Sequence, residues 1–133
     1  MAFVESSEST VLKFIRDFFS CFDTNRHIVH TLFSEDGTLV IFGNRVEGQQ
    51  SIKEAMLSLV STTHNLLTVD IQNLPLALPN SISIYQVMCH GIVKMGSNPQ
   101  EQGFSTTFIV SFQHPSKLNV ISFVDRMQWG VLS

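Results

Sequence analysis

The sequence is poor in charge. Asp, Glu, Lys and Arg make up 14% of its 133 residues, whereas an average domain has roughly 25%. The apolar share of 44% is ordinary, so a folded chain of this composition has to expose uncharged surface. A partner that covers part of that surface is one way to keep such a chain in solution. The composition therefore hints at a protein interface.

Positive charge is scattered, and the sequence contains no basic stripe. The net charge is −3, and the eight basic residues are Lys13, Arg16, Arg26, Arg45, Lys53, Lys94, Lys117 and Arg126. A nucleic-acid site needs several phosphate contacts on one surface. We therefore expect no direct nucleic-acid binding by this chain.

A disulfide framework and long apolar runs are also missing. Cys21 and Cys89 each lie inside an apolar segment, which favours buried, reduced thiols. No stretch approaches the ~18 apolar residues of a membrane span, and the first ten residues lack the parts of a signal peptide. We expect an intracellular, soluble chain without membrane association, folded as one domain over residues 1–133.

The order of periodic segments predicts an α+β fold. Apolar residues at three- and four-residue steps predict helices at 11–22, 28–33 and 52–60, and alternation or β-formers predict strands at 38–42, 67–72, 82–94, 104–112 and 120–129. Because helices come first and long strands follow, we expect three helices packed on one face of a curved antiparallel sheet.

Residue parity in the last two strands predicts an uncharged outer sheet face. Phe104, Phe108 and Phe112 alternate with Ser105, Thr107, Ile109 and Ser111, so the phenylalanines should face the helices. In the last strand, Ile121, Phe123 and Asp125 share one face, and Val120, Ser122, Val124, Arg126 and Gln128 share the other. A sheet face on which one Arg is the single charged residue suits a buried interface. A half-solvated face explains the pattern equally well.

Two short motifs resemble chemical sites but lack a required partner. Gly43 and Gly48 have part of the spacing of a phosphate-binding loop, but glutamines follow where that loop needs Lys and Ser or Thr. A tight Gly-Asn reversal followed by a helix start fits better. His27 and His30 lie three apart, but no carboxylate or Cys is placed to complete a metal site with them.

Asp125 is the one residue whose parity suggests acid/base chemistry. A lone carboxylate facing the core should have a raised pKa. Tyr85 is expected on a neighbouring strand and could share a cavity with it, as in ketosteroid-isomerase-type enzymes. The alternative is a carboxylate at the rim or bonded to a backbone N–H.

Several stretches together resemble the nuclear transport factor 2-like superfamily. They are "FGNRVEGQQSIKEAM", "HNLLTVDIQNLP", "GFSTTFIVSF" and the closing "ISFVDRMQW", and their order covers essentially the whole chain. The resemblance implies a cone, in which a strongly curved antiparallel sheet wraps over helices. Within the superfamily, the sequence is most similar to the branch of small partners of NXF-type mRNA export receptors.

That branch implies a non-enzymatic heterodimer that pairs through the outer sheet face. Arg126 matches the position at which the branch meets a partner carboxylate, and the same face supplies Met88, His90, Ser105, Thr107, Ile109, Ser122, Val124 and Gln128. The resemblance further implies a location in nucleus, cytoplasm and nuclear pore, with pore FG repeats contacted indirectly. It implies no cofactor, metal or small-molecule substrate.

Two other members of the superfamily supply alternatives. One is a homodimeric carrier of GDP-bound Ran, but the acidic pair that precedes the hairpin proline of that carrier is replaced here by residues 96–98, Gly-Ser-Asn. The other is a cone-pocket enzyme that uses Asp125 and Tyr85. The support for this alternative is the analogy with enzymes of the same fold.

Overall fold

The computed structural model describes residues 7–127, with the backbone alone for Met127. The elements are α1 (Ser7–Thr24), a 3₁₀ helix (Arg26–Leu32), β1 (Phe33–Ile41), β2 (Asn44–Glu47), α2 (Gln49–Leu57), β3 (Thr62–Leu74), β4 (Ile82–Met95), β5 (Gln102–Gln113) and β6 (Lys117–Met127). The predicted α+β class, with three helices ahead of the long strands, is confirmed.

The six strands form one curled sheet that is not closed into a barrel. Its order is β2-β1-β6-β5-β4-β3, so the four-residue β2 and the thirteen-residue β3 are the edges. All neighbours pair antiparallel except β1 and β6, which run parallel. The helices pack on the inner face. The parallel pair was not predicted, because local alternation carries no information about which distant strand becomes a neighbour.

Aromatic rings from α1 and the sheet build the centre of the core. Phe18 is fully buried, with its ring centroid 5.0 Å from that of Phe108 and 5.3 Å from that of Phe123. Phe108 and Phe123 lie opposite each other on β5 and β6, and their centroids are 5.0 Å apart. Edge-to-face and offset pairs at these distances add to the free energy of burial. The predicted inward parity of β5 is therefore confirmed.

A bulge in β6 corrects the predicted parity of one residue. Val120 opposes Val110 and Ser122 opposes Ile109, which leaves Ile121 as the extra residue. Since each added residue reverses the alternation, Val120 turns inward and is fully buried. The assignment of Val120 to the outer face was therefore wrong. For the residues after the bulge, the predicted side of the sheet is confirmed.

A second bulge bends the sheet near its free edge. β3 is irregular between Leu66 and Thr68, opposite Gly91 of β4. A Cβ at Gly91 would collide with the carbonyl oxygen of Asn65 and the ring of Phe104. Glycine is therefore required here, because the two backbones and the ring approach too closely for any side chain.

Several boundaries differ from the predicted ones. The second helix is 3₁₀, and α2 ends at Leu57. Ser58 Oγ donates to the Ala55 carbonyl, and Arg26 Nη1 donates to the carbonyls of Leu59 and Val60 at 2.8 and 2.6 Å. Because these bonds satisfy one carbonyl of the last helical turn and two carbonyls of the link that follows, the chain can leave the helical path there and enter β3 early.

The Gly-Asn reversal is present but shifted by one residue. Positive φ angles occur at Phe42 and Gly43, and Ile41 pairs with Asn44 across the turn. Gly48, at φ 89°, is the N-cap of α2 as predicted. Residues 34–37 form an irregular part of β1.

No helix within residues 7–127 combines the length and the apolar content that crossing a bilayer requires.

Truncation of Phe108 should test the aromatic core. Phe108→Ala should lower the free energy of unfolding by about 3–5 kcal/mol, because a fully buried ring leaves a cavity between α1 and the sheet. Leu57→Ala is the control, since Leu57 is 54% exposed and should change stability by less than about 0.5 kcal/mol. Urea unfolding followed by circular dichroism measures both. Similar losses in the two variants would contradict the assigned core.

Candidate interaction surface

Nine side chains from β4, β5 and β6 form three rows on the outer side of the sheet. Cross-strand register aligns His90–Ser105–Arg126, Met88–Thr107–Val124 and Gln86–Ile109–Ser122. Residues directly opposite in a sheet project to the same side. We call these nine residues the outer face. It contains eight of the nine predicted site residues, and the ninth, Gln128, lies outside the described residues.

The outer face consists mainly of small or uncharged side chains. Met88 is 39% exposed, and the side chains of β5 that surround it are half-buried by their neighbours. The rows continue onto β1, where Val40 pairs with Val124 and Thr38 with Ser122. A surface built in this way offers a broad apolar and hydroxyl-bearing area with little desolvation cost.

Arg126 is the one permanently charged residue among the nine. It is exposed at one end of its row, beside Ser105 and beyond it His90. No carboxylate within residues 7–127 forms an ion pair with its guanidinium. The side chain is therefore available to a carboxylate of another molecule, which it could bind in bidentate fashion.

Gln86 completes the third row and was missed by the sequence analysis. It lies two residues before Met88 on β4, opposite Ile109. Simple period-two alternation from Met88 would have included it. His90 also makes a contact beyond the three rows, because its Nδ1 lies 3.3 Å from Thr68 Oγ1 on β3.

Asp125 and Tyr85 do not form the predicted acid/base pair. Asp125 opposes Thr106 and Tyr85 opposes Val110, so four residues of β5, about 13 Å of strand, separate their positions. The buried Phe108 lies between them on the same face. β4 and β6 are also not neighbours, since β5 runs between them. The shared cavity was therefore a wrong prediction.

The prediction of a buried, weakly acidic Asp125 is confirmed. The residue is 4% exposed, and neither carboxylate oxygen has a hydrogen-bond partner of good geometry among the described residues. Burial raises the pKa of Asp125 to about 6, and the charge of His64 and the amide of Arg126 oppose that rise only in part. A raised pKa here reflects desolvation in a packed core.

A second carboxylate, Asp23, lies at the end of α1 and was not singled out by its sequence. Its Oδ1 is 2.6 Å from His64 Nδ1 and accepts from Thr62 Oγ1 at 2.8 Å, while Oδ2 accepts from the His64 backbone N–H at 2.7 Å. Burial raises the pKa of Asp23, but these bonds outweigh burial and hold it below its ordinary value. The pair fastens α1 to the start of β3.

The other sequence candidates do not assemble into a chemical site. His27 is exposed and His30 half-buried, and no cluster of three metal-ligating side chains occurs within residues 7–127. Both cysteines are free, and burial raises the pKa of the Cys89 thiol to about 11 against a smaller opposing effect of Thr106. That thiol therefore stays protonated and unreactive at neutral pH.

Comparison with known proteins gives a family match over most of the chain. Residues 10–124 match the nuclear transport factor 2 (NTF2) domain. The chain is also 32% identical to NTF2-related export protein 1 of Bos taurus over 102 residues, which is 76% of this chain and 71% of that protein.

Solved structures share the fold at lower sequence identity. Nuclear transport factor 2 from Cryptosporidium parvum superposes with a TM-score of 0.75 at 21% identity, covering 91% of this chain and 94% of the other. The yeast UBP3-associated protein BRE5 superposes with a TM-score of 0.77 at 15% identity, covering 96% and 100%. At these identities the likeness concerns the fold alone.

Replacement of Asp125 should change how stability depends on pH. The pKa of Asp125 rises from 3.8 to about 6 on folding. Protonation of Asp125 therefore stabilises the folded state, and this stabilisation is complete at pH values below 3.8. That contribution is lost as pH rises through the higher value. From about pH 4 to about pH 8, wild type should therefore lose about 2–3 kcal/mol of unfolding free energy relative to Asp125→Asn.

Urea unfolding across this pH range measures the difference. Thr107→Ala is the control, because it removes no titrating group and lies on the neighbouring strand, so its profile should run parallel to wild type. An Asp125→Asn profile that is also parallel to wild type would contradict the buried carboxylate.

Proposed function

This chain belongs to the nuclear transport factor 2 domain family, and from that premise we propose that it is a non-enzymatic subunit of nucleocytoplasmic transport. Its outer face packs against the nuclear transport factor 2-like domain of an NXF-type receptor, and the heterodimer supports mRNA export. The chain then resides in nucleus and cytoplasm and at the nuclear pore. Contact with pore FG repeats is indirect, through the receptor.

The outer face is the observation that carries this proposal. Three aligned rows on the central strands present uncharged side chains around Met88 and Thr107, with one cation, Arg126, that forms no ion pair within residues 7–127. The cores of stable interfaces are depleted in charge and enriched in residues such as Met and Arg. The surface therefore has the chemistry of an interface core, and the similarity to an export protein supports the class of partner.

Arg126 contributes specificity to this interface. A guanidinium buried against apolar surface without a counter-charge is costly, so a correct partner has to supply a carboxylate at that point. A partner without one would leave the charge desolvated and unpaired, which disfavours wrong complexes. The position of Arg126 at the end of a row lets its fork reach across the interface beside Ser105 and His90.

The arrangement of the interior supports a non-enzymatic role. The residues that could act as acid and base, Asp125 and Tyr85, are separated along the sheet by the aromatic core. Catalysis by a proton donor and acceptor requires both groups within hydrogen-bond reach of one substrate. The rings of Phe18, Phe108 and Phe123 fill the interior between the positions of these two residues.

Loss of Arg126 should weaken the heterodimer more than loss of another basic residue on the same strand. Arg126→Ala should raise the Kd for the purified nuclear transport factor 2-like domain of an NXF-type receptor by about thirtyfold or more, as for a hot-spot residue. Lys117→Ala is the matched control, because Lys117 is exposed at the start of β6, outside the outer face. Isothermal titration calorimetry measures both.

Equal affinities of the two variants would refute the role of Arg126. Absence of binding by wild type, together with a solution mass twice that of the monomer, would instead favour a homodimer through the same face. Analytical ultracentrifugation of the chain alone distinguishes these outcomes.

A further inference from the structure

β3 is a long edge strand with few of the usual protections. It spans Thr62–Leu74 at the end of the sheet, and that segment contains no Lys, Arg or Pro. Edge strands expose unpaired N–H and C=O groups, and proteins commonly shield them with such residues or with a covering element. The extra residue Leu67 interrupts the regular edge at one point. The strand segments before and after Leu67 still present an exposed edge.

The hydrogen bond to Asp23 reveals which backbone groups face away from β4. The His64 N–H donates to Asp23 Oδ2, so the pair His64 and Val93 is one whose backbone groups point outward. Because the orientation of backbone groups alternates along a strand, the N–H and C=O of Leu66 also point away from β4. Leu67 is an extra residue in the register, so after it the outward-pointing N–H and C=O groups belong to Val69 and Ile71. Asp23 therefore occupies one outward N–H, and no side chain or loop within residues 7–127 is hydrogen-bonded to the outward N–H groups that follow.

A groove runs between this edge and α1. It has a volume of about 510 Å³, within the range of roughly 300–1,000 Å³ typical of binding sites. One wall is the second half of α1, the other is the first half of β3, and among its lining residues are Arg16, Ser20, Asp23, Thr63, Asn65 and Leu66. An edge strand beside a helix is the geometry in which domains add an extended peptide as a further strand.

The charge at the rim of the groove selects the chemistry of such a peptide. Asp23 is committed to His64 and Thr62. Arg16 is exposed on α1 and forms no ion pair or side-chain hydrogen bond with a residue in the 7–127 range. The free charge that the groove offers is therefore positive, and an acidic side chain complements it.

We propose that this groove binds an extended peptide segment of another protein, which adds a strand to β3 and places an Asp or Glu side chain on Arg16. A second copy of this chain is the competing occupant, because an edge strand can also pair with its own copy, and the solution mass measured below distinguishes the two. The site lies on a sheet edge, separate from the outer face.

Selection from a displayed library of random peptides against the full chain tests the proposal. Enriched peptides should alternate β-branched or aromatic residues around one acidic residue. Synthetic fluorescent copies should bind in anisotropy titrations, and Arg16→Ala should weaken them about tenfold. A Glu→Gln change in the peptide should weaken its binding to the wild-type chain by the same factor. The same change should weaken binding to the Arg16→Ala variant little further, because the ion pair is already lost there. Arg45→Ala, on the opposite edge, is the control.

A matched pair of substitutions at Leu66 tests the strand addition itself. Leu66→Ala and Leu66→Pro both remove the side chain, but the proline also removes an outward N–H that β4 does not use. The proline variant should bind at least about tenfold more weakly than the alanine variant, while circular dichroism shows both folded. Slower hydrogen exchange at Val69 and Ile71 upon binding would support the same geometry.

Four outcomes would overturn the proposal. The first is that no peptide is enriched, and the second is that enriched peptides lack an acidic residue. The third is equal binding by Leu66→Ala and Leu66→Pro. A dimer in solution that Leu66→Pro dissociates and Leu66→Ala does not would assign the edge to a second copy of the chain, which also contradicts a foreign peptide.

Discussion

The contact of Phe18 with Phe108 and Phe123 sets the orientation of the whole sheet. Phe18 projects from α1, and its ring meets the two strands on which the outer face depends. Because side chains alternate along a strand, seating Phe108 and Phe123 inside forces Thr107 and Val124 outside. The aromatic core therefore determines the composition of the outer face. A slip by one residue would bury polar side chains and expose phenylalanine.

Two carboxylates, the half-buried Asp23 and the buried Asp125, show how the same fold treats charge. Asp23 is hydrogen-bonded by His64 and Thr62, and the bonds keep it acidic. Asp125 has no comparable donors within residues 7–127, so burial dominates and raises its pKa. The first carboxylate joins α1 to β3, while the second sits directly behind Arg126 on β6. The strand that carries Arg126 thus has a titrating group on its inner side, next to the proposed interface.

The sequence predicted those features that depend on local periodicity. The apolar steps of α1 and the alternation of β5 are read within one segment, so the α+β class, the family resemblance and the inward phenylalanines are confirmed. Features that depend on distant partners were missed or wrong. The bulge at Ile121 reversed the side of Val120, and the parallel pairing of β1 with β6 and the bond between Asp23 and His64 each join segments far apart in the chain. No local pattern encodes such contacts.

The two exposed surfaces of this sheet differ in what they can recognise. The outer face offers side chains, so in the proposed heterodimer its selectivity comes from shape, low charge and the single guanidinium of Arg126. The edge at β3 offers backbone groups, which every extended peptide can match, so there the selectivity has to come from Arg16 and the groove beside α1. Two strands, β4 and β5, separate β3 from β6. A peptide bonds to the edge in the plane of the sheet, whereas a partner on the outer face approaches perpendicular to that plane, so the two occupants come from different directions. A chain of this size could therefore hold a folded partner and an extended segment at once, joining the two without changing its own fold.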